Sequence, residues 1–121
     1  MLNYDSIQEL VDEAEKAGKN ISDIVLEDQA LQLGKSAEEV FKDMQQLLQI
    51  MDEAVLNGLK PTLKSSSGLS GGAAYKMKQM MDEGKSLSGK VLSGILVKAL
   101  AIAELNACMG RIVAAPTAGS C

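Results

Sequence analysis

Two Ser/Gly-rich turns, two thiols and one guanidinium carry most of the chemical potential of this 121-residue chain. In "PTAGSC", Thr117 and Ser120 bring two hydroxyls beside the thiol of Cys121. A turn of this composition commonly opens a helix, whose free amides lower a thiol pKa. A thiolate there can ligate a soft metal or act as a nucleophile. In "SSSGLSGG", residues 65–72, Gly68, Gly71 and Gly72 permit positive φ and close approach of a ligand to the backbone. Successive amides there can form an anion-binding nest. No Gly-Lys-Ser/Thr follows at P-loop spacing, and by composition alone the stretch reads as a flexible linker rather than a binding nest. Cys108 lies in an apolar helix and reads as a buried, inert small hydrophobe. Arg111, the only Arg, can clamp a carboxylate, pair with Glu104 or sit over a helix C-terminus.

What is missing narrows the chemistry further. The sequence has no His, which removes Ser-His-Asp and Cys-His nucleophile systems and imidazole-ligated zinc. Two Cys do not make a disulfide scaffold. The start, "MLNYDSIQEL", turns acidic at Asp5 and does not resemble a signal peptide, so a reducing cytoplasm is expected. Residues 1–60 hold 13 acidic and 5 basic groups; residues 61–121 hold 3 and 7. The basic half has scattered Lys and almost no aromatic rings on which bases could stack, which argues against nucleic acid. The acidic half reads as a solvated face, and the second half as one suited to approach an anion or an acidic surface.

The elements that must position these residues are helices. Aromatic content is 2%, so the core is aliphatic and favours helix packed on helix. "SIQELVDEAEKAG" has capping-box spacing at Ser6 and Glu9 and a stop at Gly18. "ISDIVLEDQALQLG" repeats the device, with Ser22 or Asp23 as cap and Gly34 as stop. A long amphipathic helix starts at a second capping box, Ser36 and Glu39. Its stripe is Val40, Met44, Leu47, Leu48, Met51 and Val55, and Gly58 and Pro61 end it. A short Lys-rich helix follows over 73–84. Ser86 or Ser88 in "KSLSG" can then cap a last helix, from about 90 to 109, that is apolar nearly all round. Two charges, Lys98 and Glu104, argue against a membrane span. They are six residues apart, so each needs its own exit or partner. A largely buried helix needs several neighbours, and the first 60 residues offer thin cover. "RIVAAP" is expected to leave the helix as an extended piece, because Ile112 and Val113 are β-branched and Pro116 disfavours helix at Ala115.

Three segments in order, "SGLSGGAAYKM", "GKSLSG" and "AELNACMGRIVAAPTAGSC", resemble the alpha chain of the iron–sulfur-dependent L-serine dehydratases. The resemblance is loose over 1–60 and specific from about 65 onward. It implies a lyase of amino-acid degradation and gluconeogenesis that converts L-serine to pyruvate and ammonia. It also implies a [4Fe–4S] cluster held by three Cys, whose open iron acts as a Lewis acid on the substrate hydroxyl. By this resemblance Cys121 is the first cluster ligand and Cys108 a packing residue. Ser67, Gly68, Ser70, Gly71, Thr117, Gly119 and Ser120 line the substrate pocket. The implied partners are the remainder of the alpha chain and a beta chain, with no nucleic acid and no membrane.

The expected architecture is therefore all-α, an incomplete part of a larger helical catalytic domain. It comprises an acidic helical region over 1–60, a Ser/Gly-rich loop over 61–72, and the start of a catalytic core over 73–121. Family alpha chains continue past the Pro-Thr-x-Gly segment, so the chain reads as cut at Cys121. Two Cys cannot supply three ligands, and the 121 residues alone are expected to be inactive. The rival readings are a non-catalytic helical module that binds a partner through residues 90–109, and a gene remnant that does not fold.

Overall fold

The structure, a computed structural model, describes residues 4–113. The described residues form five helices and no strand: α1 (Ile7–Ala17), α2 (Ile21–Leu33), α3 (Ala37–Gly58), α4 (Ala73–Asp82) and α5 (Lys90–Ala107). The chain divides into two compact units, Met1–Gln46 and Leu47–Cys121, with α3 contributing to each.

In the first unit, local sequence sets the helix ends. Ser6 Oγ accepts from the Glu9 amide at 3.2 Å, and Gly18 closes α1 in the left-handed region with φ 63°. The cap of α2 is Asn20, rather than the expected Ser22 or Asp23. Asp23 is the third helical residue, and its carboxylate accepts from the Asn20 backbone at 3.3 Å. The reciprocal half of a capping box falls to that position, so the cap lies two residues before Ser22 and three before Asp23. Ser36 and Glu39 make the expected box of α3, at 2.9 Å and 3.2 Å. Ala14, Ile24, Ala30 and Val40 are the buried apolar residues of this unit. The surface pairs Lys19–Glu27 and Lys35–Asp43, each 2.6 Å, are more than two-fifths exposed, so solvent screening leaves them little weight in stability.

The second unit is built on small residues. Ala54, Ala74, Val97, Ala101 and Leu105 are buried, and α4 packs along α5. Short side chains let helix backbones approach closely, and Gly58 at the end of α3 lies against the Ala101 carbonyl. The inward face of α5 carries Ser93, Val97, Ala101, Glu104 and Leu105. Its outward face leaves Val91 80% and Ile95 59% exposed, with Leu92 and Leu96 beside them. Two of the polar interruptions thus point in, because Ser93 and Glu104 have polar partners inside this unit, while Val91, Leu92, Ile95 and Leu96 point out. The thin cover expected of this helix is visible in that outward face. Lys98 is exposed to solvent, so the two charged residues do find separate surroundings.

The apolar stripe of the long helix is only partly covered: Val40 is buried, Met51 and Val55 are half-buried, and Met44, Leu47 and Leu48 are exposed. Residues 110–113 have no regular structure; Ala114–Pro116 of "RIVAAP" lie outside the described residues.

Candidate functional site

The Ser/Gly stretch is a tight turn, which corrects its reading as a flexible linker. The Ser65 amide donates to the Ser70 carbonyl at 2.9 Å, and the Gly68 amide to the Ser65 carbonyl at 2.9 Å. The Ser70 amide donates to Ser65 Oγ at 3.1 Å, and Ser65 Oγ and Ser67 Oγ are 3.0 Å apart. Local side-chain to backbone bonds of this kind are what Ser offers a turn. They tie the chain into a ring that Gly-rich composition alone would leave open.

The glycines are required by backbone shape. Gly68, Gly71 and Gly72 have φ of 74°, 121° and 86°. A β-carbon on Gly71 would fall on the Leu63 carbonyl and within 2.9 Å of Lys64 Cα. Gly71 is therefore doubly needed, for its φ and for the close pass of two backbone segments. Ser67 and Gly68 are exposed, Ser70 and Gly71 half-buried, and Leu69 at the tip is 90% exposed. The structure thus brings Ser67, Gly68, Ser70 and Gly71 together at one turn. Thr117, Gly119, Ser120 and Cys121 lie outside the described residues.

The turn runs directly into α4, whose cap is Gly72 with no side chain to accept its amides. The acceptor comes from far along the chain. Glu104 of α5 takes the Ala73 amide at 3.1 Å on Oε1 and the Ala74 amide at 3.0 Å on Oε2. Glu104 is 8% exposed and Ala74 is fully buried. A carboxylate at a helix N-terminus satisfies orphan amides and meets the positive end of the helix dipole. Of the three roles open to Arg111, pairing with Glu104 is not among the ion pairs of the described residues, since both Glu104 oxygens serve α4; Arg111 is exposed. The sequence signal for Glu104 was its presence in an otherwise apolar helix, but nothing local named its partner.

A second polar cluster joins α4 to α5. Ser93 is fully buried; its hydroxyl lies in hydrogen-bond contact with Ser86 Oγ and 2.7 Å from Ser88 Oγ. Ser86 and Ser88 therefore do not cap α5, as spacing suggested; Gly89 holds the cap position. The buried Ser93 hydroxyl offered those two a partner, which outweighs a solvent-exposed cap. Beside the cluster is a cleft of about 530 Å³ lined by Met81, Asp82, Gly84, Ser86, Gly89 and Lys90. None of the Ser67–Gly72 residues lines it.

Cys108, expected to be buried, is half-buried at the C-terminal cap of α5. Among the described residues no three His, Cys, Asp or Glu side chains gather to hold a metal ion. The described residues therefore do not by themselves make the ligand set of an iron–sulfur cluster. Among the described residues no helix is long and apolar enough to cross a membrane.

Comparison with known proteins points one way. The probable L-serine dehydratase, alpha chain, of Bacillus subtilis (strain 168) is 37% identical over 117 residues, covering 97% of this chain and 39% of the relative. The L-serine dehydratase, alpha chain, of Peptoniphilus asaccharolyticus is 32% identical over 120 residues, covering 99% of this chain and 40% of the relative. The chain thus spans well under half the length of the curated relatives it matches. No solved structure matches it. The family profile described as serine dehydratase alpha chain matches residues 16–121, which takes in four of the five helices whole and the Ser/Gly turn: the chain belongs to the serine dehydratase alpha chain family.

Proposed function

We propose that this chain contributes the Ser/Gly substrate turn of an L-serine ammonia-lyase. In that reaction L-serine loses its α-proton and its β-hydroxyl as water, and hydrolysis of the product releases ammonia and leaves pyruvate. The observation that carries the reading is the turn itself, Ser67–Gly72, ordered and set at the start of α4 in a chain of this family. Its hydroxyls can donate to a substrate carboxylate, and its glycines allow the substrate to lie close to the backbone. Thr117, Gly119 and Ser120 are proposed to complete the pocket.

The cofactor proposed with it is a [4Fe–4S] cluster, with Cys121 as one ligand. The sequence has two Cys, and with Cys108 a packing residue Cys121 is the one ligand assigned here, two short of the three thiolates such a cluster requires. Activity is accordingly assigned to an assembly of alpha-chain and beta-chain segments in the cytoplasm, and the 121 residues assayed alone should release no pyruvate. Further alpha-chain segments, of the kind the longer relatives carry, are proposed to cover Val91, Leu92 and Ile95 on α5.

The test is anaerobic reconstitution of the assembled alpha and beta chains with iron and sulfide, followed by a pyruvate assay with L-serine. Turnover that disappears in Cys121→Ser, with loss of cluster absorbance, supports the reading. A fully loaded cluster with no pyruvate formed from L-serine overturns it.

A further inference from the structure

Glu104 is a more than nine-tenths buried carboxylate that the reading above leaves without a function. Both of its oxygens are committed, one to the Ala73 amide and one to the Ala74 amide. Those amides begin immediately after Gly71 and Gly72, the two glycines whose φ of 121° and 86° shape the exit of the Ser/Gly turn. On its other side the turn is pinned by the close pass of Gly71 over the Leu63 carbonyl. The turn thus has a fixed entry and a fixed exit, and the exit is held by one side chain reaching from a different helix.

No local residue can do this job. Gly72 has no side chain, and Ala73 and Ala74 can neither accept nor donate through theirs. A two-oxygen acceptor from α5 is geometrically suited to two successive amides, and the charge-assisted bonds are of the strong kind. The buried Ala74 amide with no acceptor would carry the full desolvation penalty, and the part-buried Ala73 amide a share of it, so the first turn of α4 would fray without Glu104. Fraying there frees Gly71 and Gly72, because glycine has the widest conformational choice of any residue.

We infer that Glu104 is a positioning residue for the substrate turn: its carboxylate straps the start of α4 to α5 and so keeps Ser67–Gly72 in binding shape. This rests on the proposal that the turn binds L-serine.

The experiment uses the assembled enzyme with Glu104→Ala and Glu104→Gln, and with Ser93→Ala as a control for general loosening of α5. Hydrogen exchange is followed at the Ala73 and Ala74 amides and over 65–72, and KM and kcat are measured for L-serine. The expected result is exchange faster by about tenfold or more at these positions in Glu104→Ala, the effect of losing a buried charge-assisted bond. KM for L-serine should rise by a similar factor with a smaller change in kcat. Glu104→Gln keeps one acceptor oxygen and should restore part of both. It also reports if Glu104→Ala does not fold. Exchange over 65–74 no faster in either Glu104 variant than in Ser93→Ala overturns the strap. Faster exchange with unchanged serine kinetics upholds the strap and instead removes the turn from serine binding.

Discussion

Gly58 at the end of α3 lies against the main-chain carbonyl of Ala101 in the middle of α5, so that a β-carbon at Gly58 would come within 2.9 Å of Ala101 Cα. Ala101 is itself fully buried. Two helix backbones therefore touch with no side chain between them, and the geometry of the second unit depends on both residues being small.

Gly58→Ala tests that contact. Helix propensity alone favours Ala by about 0.8–1 kcal/mol. The clash is with backbone, which cannot rotate away, and overpacking of this kind costs about 1–3 kcal/mol or more. The clash wins, so the variant should be less stable by about 1 kcal/mol or more in chemical denaturation. A variant as stable as the parent would show that α3 and α5 do not meet here.

The turn glycines separate into two kinds. At Gly68 an added methyl meets nothing within 4 Å, and only φ of 74° resists it. At Gly71 the methyl also meets the Leu63 carbonyl. Gly68→Ala should cost about 1–2 kcal/mol of local strain, the usual penalty for a left-handed residue with a β-carbon. Gly71→Ala should disorder the turn, seen as protease cleavage within 63–72 at concentrations that leave Gly68→Ala intact. Equal cleavage of the two would remove the steric argument.

Met109 offers a change in the other direction. It has φ of 63° just beyond α5, and the Gly110 amide donates to the Leu105 carbonyl at 2.9 Å. This is a helix-closing geometry that glycine normally occupies. Met109 is 92% exposed and has little packing to lose. Met109→Gly should therefore stabilise the fold by about 1 kcal/mol, read as a higher denaturation midpoint. A lower midpoint would mean that the Met109 side chain makes contacts that outweigh its backbone strain.

Acid sensitivity should trace in part to the α3 cap. The Ser36 amide, first, and the Ser36 hydroxyl, second, hold the Glu39 carboxyl below its ordinary pKa of 4.5. A depressed folded-state pKa means stabilisation that is present above the unfolded value and lost as pH falls through the folded one. Glu39→Gln should therefore differ from the parent in denaturation midpoint at pH 6, and the difference should shrink by pH 3. A gap that stays constant between these pH values would show that the Ser36–Glu39 bond is not the source.

Helix type and most helix ends were legible in the residues. Ser6 with Glu9, Ser36 with Glu39, and Gly18 and Gly34 each act within one turn of chain, and local hydrogen bonding decides them. The family was legible too, because three motif segments fall in order across the second half. The Ser/Gly turn was identified as a candidate site, but its order was not, since Gly-rich composition permits many conformations and only bonds such as Ser65 to Ser70 choose one. What the sequence by itself determined was the set of helices, their stops and the candidate turn. Only the tertiary structure decided that Glu104 caps α4 across thirty residues, that Ser86 and Ser88 turn to Ser93, and that Ser93 and Glu104 of α5 face inward. The reason is physical: a capping box is closed by neighbours in the chain, whereas a buried carboxylate or hydroxyl takes whatever partner folding brings within 3 Å, and no local spacing encodes that partner.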